Sequence, residues 1–124
     1  MDLEILGPEL SVCKLDSMDQ VDIGKELFFL SRTDDEISLV CPTSDVPEET
    51  LSREDGWRAF RIRGTLDFSL IGILSGITTV LAKESIGVFA ISTFDTDYIL
   101  VRSGDLERAK GALSKNGYSI LPSD

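Results

Sequence analysis

Hydrophobic and polar positions along this chain fall into short runs whose period switches between two and about 3.6 residues. The densest signal is residues 87–102, GVFAISTFDTDYILVR. Two apolar runs, Val88–Thr93 and Tyr98–Val101, flank a polar knuckle, Phe94-Asp95-Thr96-Asp97. Both runs are rich in β-branched and aromatic residues, which suit a pleated surface, so the pair predicts a β-hairpin. The knuckle lacks Asn-Gly or Asp-Gly, so a four-residue loop fits it better than a two-residue one. Upstream, Phe68–Ile86 has helical spacing. Leu70, Ile73, Leu74, Ile77 and Leu81 form one stripe, and Ile71, Thr78 and Val80 widen the apolar surface beyond it. Downstream, Asp105–Asn116 carries a narrower stripe of Leu106, Ala109 and Leu113, and Asn116-Gly117 supplies a left-handed residue to end it. Tyr118–Leu121 then returns as a strand.

The N-terminal half reads as an incomplete copy of this pattern. Leu10–Leu15 is a short strand, and Leu3–Leu6 is a candidate extension interrupted by Gly7-Pro8. Met18–Gly24 has few apolar anchors and supports at most a short helix. Leu27–Arg32 and Ile37–Cys41 flank Thr33-Asp34-Asp35-Glu36, a second hairpin. Pro47-Glu48-Glu49-Thr50 suits one helical turn, because proline and acids favour a first turn. Trp57–Arg63 is strand-like, and its sequence leaves open whether it closes the first half or opens the second. The acids Asp34, Asp35 and Glu36 read as a solvated turn rather than a cation site.

Strand, helix, hairpin, helix, strand is a βαββαβ order. The wording of LDFSLIGIL (66–74) and ISTFDTDYILV (91–101) resembles the ACT-like proteins related to the aspartate-kinase regulatory domain and the Castor arginine sensors. The resemblance covers Trp57–Leu121, with weaker likeness upstream. It implies an α+β fold of ferredoxin-like βαββαβ ACT modules in tandem, with antiparallel sheet and helices on one face. A degenerate module would occupy residues 1–56 and a complete one residues 57–124. The function implied is that of a non-catalytic sensor binding a small ligand, most simply an amino acid, at an ACT module interface. The alternative is a structural or oligomerisation module that no longer binds ligand. Contacts implied by the resemblance are Ser69, Leu70, Ile71 and Gly72 at the helix start, and Thr93, Phe94 and Asp97 from the hairpin. The arginine sensors carry acidic character where this chain has Ser69-Leu70, so the departure favours a smaller or uncharged amino acid over arginine.

The residues themselves supply a physical counterpart. A helix start offers unpaired amides with the positive end of the dipole behind them, a natural seat for a carboxylate. Asp67 and Ser69 are both acceptable N-caps there. Gly72 and Gly76 lie one turn apart and admit close approach of a backbone or a ligand; plain helix-on-sheet packing is the other reading. Asp95 and Asp97 offer carboxylates for an ammonium group. Turn aspartates also commonly bond their own backbone, and Phe94 can equally be a plug between modules.

Composition narrows the classes. With 12 Lys and Arg against 22 Asp and Glu, the net charge of −10 disfavours nucleic acid. The charge-free stretch between Asp67 and Lys83 would span about 22 Å as a helix, short of a bilayer core of roughly 30 Å. No basic segment precedes an apolar run at the N-terminus, which implies no signal peptide and a cytoplasmic location. The chain has no histidine, so no histidine base is available and no enzyme activity is expected. Cys13 and Cys41 are expected to be buried and reduced, without a disulfide, and no metal or cofactor is implied. Val88–Thr93 is apolar on both faces, which predicts a homodimer or higher assembly, reporting its ligand to an unidentified regulated protein.

Overall fold

Both hairpins form. The structure, a computed structural model, describes residues 1–63 and 72–122. The chain divides into a unit of residues 8–57 and a unit combining residues 1–7 with 58–124. The class is α+β and ferredoxin-like.

In the second unit the strands are β1 (Asp2–Ile5), the later part of β5 (Ser52–Ile62), β6 (Phe89–Ser92), β7 (Asp97–Arg102) and β8 (Ser119–Leu121). Their helices are α1 (Ile73–Lys83) and α2 (Leu106–Lys115). β1 lies antiparallel to β5, with Leu3 opposite Ile62, and parallel to β8, with Leu3 opposite Ile120. β7 pairs with both β5 and β6. Side chains alternate across a strand, so Leu3 and Ile5, Phe60 and Ile62, and Ile99 and Val101 share one face. Ile77 and Leu81 of α1 and Ala109 and Leu113 of α2 bury against that face. Each fully buried aliphatic side chain contributes about 1.5–3 kcal/mol, so this core is the main stabiliser of the unit. Of the anticipated stripe, Ile77 and Leu81 are buried, Ile73 and Leu74 pack at its margin, and Leu70 lies outside the described residues.

Helix α1 ends three residues before the anticipated Ile86. Its stop is a Schellman motif: Ile86 N–H donates to Leu81 O at 3.0 Å and Ser85 N–H to Ala82 O at 3.0 Å. The left-handed position is Ser85, φ 58°, where glycine is usual, so the sequence carried no stop signal. Ile86 folds back into the core at 4% exposure, which offsets the cost of a serine in that conformation. α2 ends in the same motif with Gly117, φ 92°, in the left-handed position, as anticipated. At the front of α1, Gly72 is a left-handed N-cap, φ 82°, and not an interior helix residue. The anticipated residues 68–71 lie outside the described residues.

In the first unit, β2 (Leu10–Leu15), β3 (Phe29–Arg32), β4 (Ile37–Pro42) and the start of β5 pair in the order β3-β4-β2-β5. Cys13, Leu15, Leu39 and Cys41 form one buried cluster of its core, with Val21, Phe28, Leu30, Ile37 and Val46 packed against them, and Leu10 and Val40 are buried as well. β5 starts five residues before the anticipated Trp57, because its charged opening pairs with β2. It therefore serves both units: Ser52–Trp57 pairs with β2, and Phe60–Ile62 with β1. A bulge interrupts the first pairing. Leu10 faces Trp57 while Val12 faces Glu54, and the surplus is taken up near Gly56, φ 85°. The fully buried Ser11 hydroxyl donates to Asp55 Oδ1 at 2.6 Å and so pins the bulge.

The two hairpins repeat at a fixed offset of sixty residues: β3 with β6, β4 with β7, and the 3₁₀ turn Thr43–Asp45 with the 3₁₀ turn Ser103–Asp105. The copies diverge one residue later. Leu106 continues into α2, whereas Val46 is extended, ψ 131°. Proline at 47 explains it, since its ring disfavours the helical region for the preceding residue. The anticipated helical turn at Pro47–Thr50 accordingly does not form. Met18–Gly24 shortens to one 3₁₀ turn, Met18–Gln20, held by a Ser17/Gln20 capping box.

Candidate functional site

The knuckle is closed by threonines. Thr93 N–H donates to Thr96 O at 2.8 Å, and its hydroxyl donates to the same carbonyl at 3.0 Å. Thr33 occupies the matching place in the first hairpin, where its N–H donates to Glu36 O at 2.9 Å. Its hydroxyl accepts from the Asp35 and Glu36 amides at 3.1 and 3.3 Å. The loop is thus residues 93–96, one residue earlier than anticipated, and Asp97 already pairs with Ser92 inside the sheet. Among the described residues, the bonds that close the turn run between Thr93 and Thr96 and do not use the carboxylate of Asp95 or Asp97.

Thr96 fixes where the knuckle sits. Its hydroxyl donates to Ile62 O at 2.8 Å, the last residue of β5. The knuckle is therefore fastened to the point where the chain leaves β5 on its way to α1. By strand alternation Asp97 shares the face of Ile99 and Val101, the face the helices cover. It is half-buried, while Phe94 projects at 79% exposure. Gly72 is exposed and starts α1 without a side-chain cap; the first helical bond runs from Gly76 N–H to Gly72 O at 2.8 Å. An alanine at 72 would find space, but the positive φ disfavours any side chain. Gly76 instead faces the protein: a Cβ there would lie 3.1 Å from Tyr118 Oη, so the packing reading holds for it. Ser69, Leu70 and Ile71 lie outside the described residues. Sequence reasoning passed over Thr96 and Thr93 as anchors, although a threonine at both ends of Phe94-Asp95 was the available signal.

Several polar contacts elsewhere serve the architecture. Glu4 Oε1 accepts from Arg61 Nε at 3.0 Å and Nη2, and from Arg63 Nη1 at 3.2 Å. The Arg61 hydrogen bonds hold the Glu4 carboxyl below its ordinary range. The Arg61 guanidinium also lies 6.0 Å from the Tyr98 ring centre. The Ser11 hydroxyl and Arg53 lower the Asp55 carboxyl. Ser11 is fully buried, so its hydroxyl is closed to substrate although Asp55 is exposed. Cys13 and Cys41 are buried free thiols; burial raises both, and Cys41 reaches about 11 with Cys13 nearby. Among the described residues no group of three or more His, Cys, Asp or Glu side chains is placed to hold a metal ion, and no helix is long and apolar enough to cross a membrane.

The ACT domain family matches residues 52–115, the stretch from the start of β5 to the end of α2. The chain belongs to that family. A crystal structure of a protein from Agobacterium tumefaciens is 32% identical with a TM-score of 0.87, and the likeness covers 99% of this chain and 93% of that one. A Vibrio cholerae protein, described as of unknown function and a possible transport protein, is 18% identical with a TM-score of 0.68 over 92% of this chain and 88% of its own. The aspartate kinase of Clostridium acetobutylicum, an allosteric enzyme, is 14% identical with a TM-score of 0.66. That likeness covers 88% of this ACT chain but 33% of the kinase, and it shows a shared fold alone. No curated protein matches the chain by sequence.

Proposed function

We propose that this ACT protein is a non-catalytic regulatory sensor that binds a small or uncharged amino acid. The carboxylate is received at the start of α1, around Ser69, Leu70, Ile71 and Gly72. The ammonium faces Asp97, with Thr93 and Phe94 completing the hairpin side. The observation that carries the reading is the Thr96–Ile62 hydrogen bond, which fastens the knuckle to the strand that leads to α1. Two further facts support it: the Asp97 carboxylate is not spent on closing its turn, and Gly72 begins the helix without a side chain. Similarity to the aspartate kinases, one of them described as allosteric, supports a regulatory rather than a chemical role.

Thermal melting against the common amino acids at millimolar concentration tests the reading. A ligand at a hundredfold excess over its dissociation constant stabilises the fold by about 2.7 kcal/mol. Calorimetric titration then locates it. A charge-assisted hydrogen bond in a partly desolvated crevice is worth about 1.5–3 kcal/mol, so Asp97→Asn weakens binding about ten- to a hundredfold. The ligand-free melting temperature stays nearly constant. Unaltered affinity refutes the site, and a large loss of ligand-free stability makes Asp97 a structural residue.

Phe94 at 79% exposure favours a second reading, in which the hairpin tip is an assembly surface and the chain a homodimer. Sedimentation at tens of micromolar separates the two: a monomer that still binds an amino acid removes the assembly reading, and a dimer that binds none leaves it standing alone.

A further inference from the structure

Charge is divided unevenly between the two units. Residues 8–57 hold 4 Lys and Arg against 13 Asp and Glu, a charge of −9. Residues 1–7 and 58–124 hold 8 against 9, a charge of −1. In the second unit an open groove of about 340 Å³ lies between α1 and α2, where Lys83, Arg108 and Lys115 face a single acid, Glu84. Its bed is apolar: Val80 and Ala112 are half-buried, and a Cβ added at Gly111 would meet nothing within 4 Å. Arg108 is held in place, with Nη1 donating to Glu84 O at 3.0 Å and Nη2 to Asp105 Oδ1 at 3.1 Å. Lys83 and Lys115 enter no ion pair among the described residues. Cations in a last helical turn complement the helix dipole, which accounts for their place along each helix. It does not account for both facing one groove.

The first unit carries the opposite feature. The tip of its hairpin, Thr33-Asp34-Asp35-Glu36, is exposed, and its three carboxylates enter no ion pair among the described residues. The Thr33 hydroxyl already holds the Asp35 and Glu36 amides. The tip is therefore ordered before it meets a partner, and binding costs little further ordering. Beside it, Leu51 is 58% exposed and shares a hollow with Ile37. Acids next to an exposed leucine match cations around an apolar bed.

We propose that the groove between α1 and α2 receives the hairpin tip, residues 33–36, of a second copy of this chain. Asp34 and Asp35 meet Lys83, Arg108 and Lys115, and Leu51 rests on Val80 and Ala112. The contact is head-to-tail. It sets the acidic unit of one copy against the nearly neutral unit of the next and keeps two acidic units apart. Charges farther apart than about 8 Å are screened at physiological salt, so the local match decides the pairing. None of these residues belongs to the knuckle site, and Phe94 takes no part.

Sedimentation velocity of the full chain and two charge-reversal variants, from tens to hundreds of micromolar, tests it. One variant reverses the groove, Lys83→Glu with Lys115→Glu; the other reverses the tip, Asp34→Lys with Asp35→Lys. All four positions are exposed, so melting curves are expected to match the parent's. The parent is expected to self-associate, and each variant alone at least tenfold more weakly. An equal mixture of the two variants regains the parent's association, because each tip then meets a groove of opposite sign. The single reversals Lys115→Glu and Asp35→Lys give the same pattern at smaller size, and Phe94→Ser associates as the parent does. A parent that stays monomeric over the whole range overturns the proposal. So does association that survives both reversals, or a mixture as weak as its components. Association lost in Phe94→Ser but kept in both reversals moves the contact to the other hairpin and overturns it too.

Discussion

Replacing Glu4 with glutamine isolates the one charge that two arginines share. Glu4 sits in β1 with 14% of its side chain exposed and accepts from Arg61 of β5 and from Arg63 just past its end through a single oxygen. Glutamine keeps the shape and one acceptor but removes the charge. Hydrogen bonds to charged groups are worth about 1.5–3 kcal/mol, and exposed ion pairs about 0–1 kcal/mol. Glu4 is largely enclosed while Arg61 and Arg63 are 32% and 50% exposed, so screening reduces the first figure. A loss of about 1–2 kcal/mol is expected at neutral pH. For a chain of this length each kcal/mol moves the midpoint by about 3–5 °C, giving a drop of about 3–10 °C. The pH dependence carries the sign. The folded carboxyl is held below its unfolded value, so its stabilisation is fully present above the ordinary glutamate range and is lost as pH falls through the folded value. Melting curves of the two proteins are therefore separated at pH 7 and converge as pH falls through the folded value, below which the carboxyl is neutral in both states. A separation that persists unchanged in acid, or no separation at pH 7, refutes the assignment of Glu4 as a shared charge partner.

Three other substitutions read single features. Thr96→Val removes the hydrogen bond to Ile62 O, and denaturant melts are expected to show a loss of about 0.5–1.5 kcal/mol together with weaker amino-acid binding. Gly76→Ala and Gly72→Ala should move the thermal midpoint in opposite directions. At 76 the helix gains up to about 1 kcal/mol and Tyr118 Oη, the far end of a side chain, shifts by tenths of an ångström. At 72 the positive φ makes alanine costly by about 1 kcal/mol. Mass spectrometry after iodoacetamide treatment near pH 8 should find Cys13 and Cys41 unmodified in the folded chain and modified in denaturant, because both thiols are buried and held protonated.

What could be read from residue order was local. The hairpins followed from β-branched runs around polar knuckles, and α2 from a stripe with Asn116-Gly117 behind it. The inward face of α1 followed from the spacing of Ile77 and Leu81. Signals that depend on tertiary context were invisible. Ser52–Asp55 has no alternation, yet it is strand because β2 supplies partners for its backbone. Ser85 adopts a left-handed conformation because Ile86 behind it is drawn into the core. The insertion of β1 between β5 and β8 is a non-local choice that nothing in Asp2-Leu3-Glu4-Ile5 encodes beyond its alternation. At the candidate site, the acid and the glycine were legible as residue types. The threonine that fastens the knuckle to β5 was not, because its partner is a backbone carbonyl thirty-four residues away.

Proline at 47 connects these observations. Two hairpins of the same design end in the same 3₁₀ turn, and the residue after each turn decides what covers the sheet. Where Leu106 follows, ten residues of helix bring Ala109 and Leu113 onto the sheet and the face is sealed. Where Val46-Pro47 follows, the helical conformation is disfavoured at its first step and the chain leaves extended. Loops and 3₁₀ turns then stand in the first unit where the second has helices, and its buried cluster of Cys13, Leu15, Leu39 and Cys41 is packed by Val21, Phe28, Leu30, Ile37 and Val46 instead. The hairpin of the helix-covered unit opens its second strand with an acid, Asp97, where the first unit's hairpin has the apolar Ile37.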